Sequence, residues 1–163
     1  MGSASESFQI VVAALIERGD RMLISQRRAG AGHAGRWEFP GGKREAGEDD
    51  VQALHRELRE ELGIELRVGE HAWTERSGSL ELRFYWCPWA ESLRPRGLEV
   101  VQFRWIRTEM LASYAFPPAD SNLVQALVDG RLARPGQSVG ALRVQSVLNT
   151  GGLNGEGKAR AAQ

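Results

Sequence analysis

Glu57, Glu60 and Glu61 stand at i, i+3 and i+4, a spacing that makes them neighbours on one face of a helix. Three carboxylates so close repel one another on a bare helix. A hard divalent cation offsets that repulsion, because Mg²⁺ and Mn²⁺ take oxygen ligands. The chemistry such a cluster offers is charge neutralisation on phosphate oxygens and activation of a water molecule. Taken by themselves, the three residues favour the plainer reading, a solvated acidic face.

The element that must carry them is a helix. Val51, Leu54, Leu58 and Leu62 recur at steps of three and four and form one apolar stripe. At 3.6 residues per turn the acidic face is centred roughly 110° round from that stripe. One side of the helix can pack on a core while another shows carboxylates to a cleft. Gly63 follows Leu62 as a stop signal. Upstream, Gly41 and Gly42 allow close backbone approach to a cation or phosphate.

The remaining elements follow in order. Phe8 to Ile16 is a nearly continuous apolar run with β-branched residues, suited to a buried strand. A turn at Glu17–Asp20 joins it to a second strand over Met22 to Arg27, giving a hairpin. Ala29 to Gly35 is a glycine-rich loop. After the helix, Ile64 to Val68 and His71 to Glu75 read as an interrupted strand. Leu80 to Cys87 alternates with a period of two, and Pro88 ends or weakens that strand. Val100 to Ile106 is another strand, and Thr108 to Leu111 a capped helix start. Phe116 to Asp120 is a rigid connection; Asp120 or Ser121 caps a last helix through Val128, which stops at Gly130. Residues 1–7 read as a loose arm, residues 8–134 as one domain, and residues 135–163 as a poorly ordered tail with at most a short helix at Ala141 to Leu148. Strands, one long helix, strands and short helices suit an α/β chain with a mixed sheet covered on both faces.

Gly42, Glu48, Arg56, Glu57, Glu60, Glu61 and Gly63, with Leu58, Leu62 and Ile64 at the apolar places, reproduce the Nudix signature with no position missing. Seven fixed residues at fixed spacing arise by chance in roughly one window in 10⁸. The chain resembles the Nudix hydrolase family from about Phe8 to about Leu132, which implies a one-domain α/β/α sandwich. The resemblance implies that Glu57, Glu60 and Glu61, with the Gly41 carbonyl, hold Mg²⁺ or its substitute Mn²⁺. It implies that Glu48 supports the cluster and that Arg56 fixes it by ion pairing. Read from spacing alone, Arg56 is an i,i+4 surface partner of Glu60. Glu61 and Glu99 compete as general base.

Trp37 to Lys43 resembles the segment that precedes the signature in MutT-type nucleoside triphosphate pyrophosphohydrolases. Arg27 and Arg28 match phosphate-binding positions of that branch; otherwise they are a strand-edge surface pair. His33 matches a loop histidine there. Gly42 and Lys43 fall beside the phosphates, although a lone loop lysine is usually just solvated. Phe116 to Asp120 resembles a second segment of the branch, where an asparagine reads the base. Asp120 is an aspartate, as in relatives resembling CTP pyrophosphohydrolase. Ionised, it only accepts hydrogen bonds; it can also be a plain helix N-cap. Phe39 and Phe116 either stack on a base or fill core.

The resemblance implies Mg²⁺-dependent hydrolysis of a nucleoside triphosphate to the monophosphate and pyrophosphate. The leading label is 8-oxo-dGTP diphosphatase, a nucleotide-pool sanitising activity related to DNA repair. CTP or a modified pyrimidine triphosphate is the neighbouring substrate, followed by RNA 5′ ends, and a non-catalytic nucleotide sensor is the reading from another class. Lysine and arginine balance aspartate and glutamate at 21 each, which argues against stable nucleic-acid binding. One cysteine, Cys87, excludes an internal disulfide and reads as core. No apolar run reaches the length of a membrane span and the N-terminus lacks a secretory pattern, so the expectation is a cytoplasmic monomer or homodimer. His33, His55 and His71 lack zinc spacing.

Overall fold

The computed structural model describes residues 7–136. The arm expected at 1–7 and the tail expected from 135, with its short helix at Ala141 to Leu148, lie almost wholly outside the described residues.

Among the described residues, seven strands form one mixed sheet. The strands β1 (Gln9–Arg18) and β2 (Arg21–Gln26) are a hairpin, but they pair only next to the turn, at Glu17↔Met22 and Arg18↔Arg21. Beyond that they part, and residues 37–43 fill the wedge. There β3 (Trp37–Glu38) pairs with β2, and β4 (Gly41–Lys43) pairs with β1. Ala14 N–H donates to the Pro40 carbonyl at 2.8 Å and continues the ladder across the join. The other edge of β1 runs parallel to β6 (Leu80–Pro88), from Gln9↔Leu80 to Glu17↔Pro88. Antiparallel partners complete the sheet: β5 (His71–Ser77) on β6, and β7 (Gln102–Arg107) on β2.

The parallel β1 is apolar on both faces because both faces are covered. Ile10, Val12, Ala14 and Ile16 pack with Leu54, Leu58 and Leu62 of the helix α1 (Asp50–Leu62). Ala13 and Leu15 face the other way, toward Phe84, Trp86 and the helix α2 (Ser121–Val128), through Leu123 and Leu127. The expected α/β layering is present. Leu54, Leu58 and Leu62 are fully buried, each stabilising the packing of α1 by about 1.5–3 kcal/mol.

Four local expectations need correction. Val51 belongs to the apolar stripe by spacing but is 42% exposed, and Ala53 is buried instead. Side chains lean toward a helix's N-terminus, and Val51, first of the stripe, lines an open groove with His55, Leu66 and Val68. Ala53 belongs to the core cluster beneath the helix, with Val12, Leu54 and Leu58. Ile64 to Val68 forms no strand; Ile64 and Leu66 are buried in an irregular path. Pairing resumes only where Gly69 N–H donates to the Trp86 carbonyl at 2.8 Å. The strand expected from Val100 starts at Gln102, because residues 96–99 first wrap the end of α1. Thr108 caps no helix: Thr108–Ser113 is a 3₁₀ turn without a side-chain cap, and the Thr108 hydroxyl meets the Asp20 carbonyl at 3.3 Å.

Candidate active site

Local hydrogen bonds fix both ends of α1. Asp49 caps the start in a reciprocal box, accepting from Gln52 N–H at 2.8 Å while the Gln52 side chain accepts from Asp49 N–H at 2.9 Å. Gly63 closes the end in the left-handed conformation, at φ 63°. The free carbonyls of the last turn find donors on the loop before β7. Arg96 N–H donates to the Leu62 carbonyl at 2.8 Å, and Leu98 and Glu99 N–H donate to the Glu61 carbonyl at 2.9 and 3.3 Å. The loop that carries Glu99 is thereby stapled to the turn that carries Glu61.

Arg56 is the hub behind the carboxylates. Its Nε and Nη2 donate to the two oxygens of Glu48 at 2.7 and 3.0 Å, its Nη1 to Glu57 at 2.8 Å, and its Nη2 to the Lys43 carbonyl at 2.9 Å. The i,i+4 contact with Glu60, at 3.5 Å, is the longest of these. Arg56 is therefore more than a surface partner of Glu60. The Arg56 hydrogen bonds hold the Glu48 carboxyl down to about 2.

The three signature glutamates are not gathered on one point. Glu57 turns to Arg56, the Glu60 side chain is 46% exposed, and Glu61 accepts from Gly41 N–H at 3.1 Å. Among the described residues no three histidine, cysteine or acidic side chains already enclose a metal ion. Glu57 and Glu61 each take a different internal donor, Arg56 and the Gly41 N–H, while Glu60 reaches Arg56 only at 3.5 Å.

The site nevertheless fits a hard cation. Its donor set is all oxygen. Among the described residues Glu61 has no cationic partner, only one backbone N–H. Burial pushes its carboxyl up to about 9, with Glu38 and Glu57 adding repulsion. Burial also raises Glu57, against the pull of Arg56. A Cβ on Gly42 would lie 2.3 Å from the Glu57 carboxyl carbon and push that side chain aside, whereas a Cβ on Gly41 would lie 2.0 Å from the Val12 carbonyl oxygen, so Gly41 is the glycine that lets β4 pair this closely with β1.

A cleft of about 570 Å³ opens in front of this wall, lined by Arg27, Arg28, Glu38, Glu57, Glu61 and Glu99 among others. Phe39, Gly41, Gly42, Lys43 and Asp120 also face it, as does His33, a non-glycine residue at φ 58°. Glu48, Arg56 and Glu60 stand behind or beside the wall instead. Arg28, Lys43 and Glu99 are exposed at the rim. Arg27 is not a strand-edge surface residue: it donates to the Glu38 carboxylate and to the Gly32 carbonyl. Phe39 is core first, edge-on to Phe84 and tilted on Phe116 with ring centres 5.2 Å apart.

Glu38 carried no expectation; burial pushes it up to about 7 despite Arg27. The available signal was a lone acid between Trp37 and Phe39. Asp120, expected either at the base or as a helix cap, is only 5% exposed and makes no side-chain cap bond to α2. The plain N-cap reading therefore fails, and burial raises its carboxyl to about 6.

Comparison with known proteins agrees with this geometry. The NUDIX domain family pattern matches residues 7–127. The chain is 42% identical over 128 residues to the CTP pyrophosphohydrolase of Escherichia coli, covering 77% of this chain and 95% of that protein. It is 34% identical over 125 residues to the 8-oxo-dGTP diphosphatase of Haemophilus influenzae, covering 74% and 92%. The solution structure of the E. coli ORF135 protein superposes with a TM-score of 0.65 at 36% identity, covering 84% of this chain and all of that one. The signature helix, the sheet that frames its cleft and these relatives converge, and the chain belongs to the NUDIX domain family of hydrolases.

Proposed function

We propose that the protein hydrolyses a nucleoside triphosphate to the monophosphate and pyrophosphate, with 8-oxo-dGTP as the leading substrate. One observation carries the reading: Glu61, a cleft carboxylate without a cationic partner among the described residues, lies beside Glu57 and the two glycines, in the same cleft as Arg27 and Arg28. Nudix hydrolases generally need a divalent metal. Here Glu57, Glu60, Glu61 and the Gly41 carbonyl are the residues to hold it, as Mg²⁺ with Mn²⁺ as substitute. When bound, the cation neutralises phosphate oxygens and acidifies a water.

The chain's own residues do the rest. Arg27, Arg28 and Lys43 bind phosphate oxygens, and Glu38 orients Arg27 through their ion pair. Arg56 and Glu48 keep Glu57 facing β4. Glu61 or Glu99 accepts the proton of the attacking water. Phe39 supports the base with its ring, and Asp120 meets the base edge.

Asp120 also supports a second reading, a CTP or modified-pyrimidine pyrophosphohydrolase. Its buried carboxylate can accept from the cytosine amine or from guanine N–H groups, and the 42% identical relative is named for CTP. A panel of ordinary and oxidised NTPs and dNTPs with Mg²⁺, read by pyrophosphate and monophosphate release, decides. Preference for oxidised guanine supports the first reading, and preference for cytosine the second. Binding without turnover marks a sensor.

Two substitutions sharpen this. Asp120→Asn is expected to change relative kcat/KM between 8-oxo-dGTP and CTP by about 10-fold with little change in Tm; a change in Tm alone would remove Asp120 from base reading. Gly42→Ala forces the flexible end of Glu57 aside. It should cost about 10-fold in rate while the protein stays folded, and a wild-type rate would show that the close approach is not used.

A further inference from the structure

Both cleft glutamates of α1 lie against β4: the Glu57 carboxylate is where a Cβ on Gly42 would stand, and Glu61 accepts from Gly41 N–H at 3.1 Å, so the placement of α1 against β4 governs where both can point. What holds that placement at the start of the helix is a second polar cluster, outside the cleft. Asp50, in the first turn of α1, has a side chain only 12% exposed. Its carboxylate accepts from Arg44 Nη1 at 2.7 Å, Arg83 Nη1 at 3.0 Å and Tyr85 Oη at 2.5 Å. Arg83 is itself gripped by Glu81 at 2.6 Å, and Glu81 also accepts from Arg76 at 2.8 Å.

The three donors come from two places that flank β1. Arg44 follows β4 directly. Arg83 and Tyr85 are alternate residues of β6, in register with Val12 and Ala14, so they point to the face that α1 covers. Val12 and Ala13 are in turn the β4 partners of Gly42 and Gly41. An acid in a first helical turn needs only water to favour the helix dipole. This one is bound from three directions and tied to the strands that carry the glycines.

Resting on the metal-dependent hydrolase reading above, the geometry points to Asp50 as a positioning residue: Arg44, Arg83 and Tyr85 grip it so that α1 stands where Glu57 and Glu61 can meet one cation beside Gly41. It touches neither substrate nor metal.

The test is Mn²⁺ binding to the full chain without nucleotide, followed by electron paramagnetic resonance, together with kcat, KM and Tm. Asp50→Asn, which keeps the shape and removes the charge, should weaken Mn²⁺ binding about 10-fold. It should lower kcat with KM for the nucleotide little changed. Tyr85→Phe should move both in the same direction by less. Glu91→Gln, which breaks the exposed Arg18–Glu91 pair, should move neither. A folded Asp50→Asn protein with lowered Tm but wild-type Mn²⁺ affinity would overturn the proposal. If Asp50→Asn does not fold, an unchanged Mn²⁺ affinity in Tyr85→Phe overturns it equally. Wild-type protein that ignores Mn²⁺ and hydrolyses no nucleotide would instead overturn the hydrolase reading, and this inference with it.

Discussion

Glu61→Gln is expected to lower kcat by about 10² or more while KM for the nucleotide changes little. Glu61 lines the cleft, takes the Gly41 N–H at 3.1 Å and has no cationic partner among the described residues. Glutamine keeps the size and one acceptor oxygen, so it can still take the Gly41 N–H. It loses the charge that a cation, or a proton from water, would meet. Stability should respond in the opposite sense: without metal, Glu61→Gln replaces a buried carboxyl that folding must keep protonated, through burial first and then the nearby Glu38 and Glu57, with a group that is always neutral, and should raise Tm. A rate equal to wild type would remove Glu61 from the mechanism. Glu99→Gln separates the roles. A comparable loss there would make Glu99 the base and leave Glu61 a ligand; a small loss would return the proton to Glu61.

The metal-free protein is expected to lose stability as pH rises from about 5 to 9. Burial places Glu61 at about 9, Glu38 at about 7 and Asp120 at about 6. Each folded value lies above that of an exposed carboxyl, so the folded protein keeps protons that the unfolded chain has released. Stability from such a group is complete below the ordinary carboxylate range and is lost as pH climbs through the raised value. Each retained proton contributes about 1.4 kcal/mol per pH unit, so Glu61 alone gives roughly 3 kcal/mol between pH 6 and 8. Glu48 works in the opposite direction: held at about 2, it stabilises above the ordinary range and loses that contribution as pH falls toward 2. Melting curves in a chelator should therefore show a maximum near pH 5. Mg²⁺ should raise Tm more at pH 8 than at pH 6, because at the lower pH it must displace protons. A flat profile between pH 5 and 8, or a metal effect independent of pH, would show that these carboxylates are solvated.

Much of the frame was legible because it rests on short-range rules. The stripe Leu54–Leu58–Leu62 and Gly63 give α1 and its end, and the alternation from Leu80 to Cys87 gives β6. The continuous run at Phe8 to Ile16 gives a buried strand. Where local rules met long-range contacts, they failed. Val51 fits the stripe but is 42% exposed, the Thr108 hydroxyl meets the Asp20 carbonyl, and Ile64 and Leu66 are buried in a segment that forms no strand.

The sequence by itself determined which carboxylates share a helix face, because 3.6 residues per turn puts Glu57, Glu60 and Glu61 side by side. Only the tertiary structure decided which of them meet. Glu61 faces the cleft, where the wedge between β1 and β2 brings the Gly41 N–H to it, while the Glu60 side chain stays 46% exposed. Glu38 and Asp120 became buried acids in the same cleft, 82 positions apart in the chain. The reason is physical: burial and the approach of distant strands set the charge and reach of a carboxylate, and neither is encoded in the residues beside it.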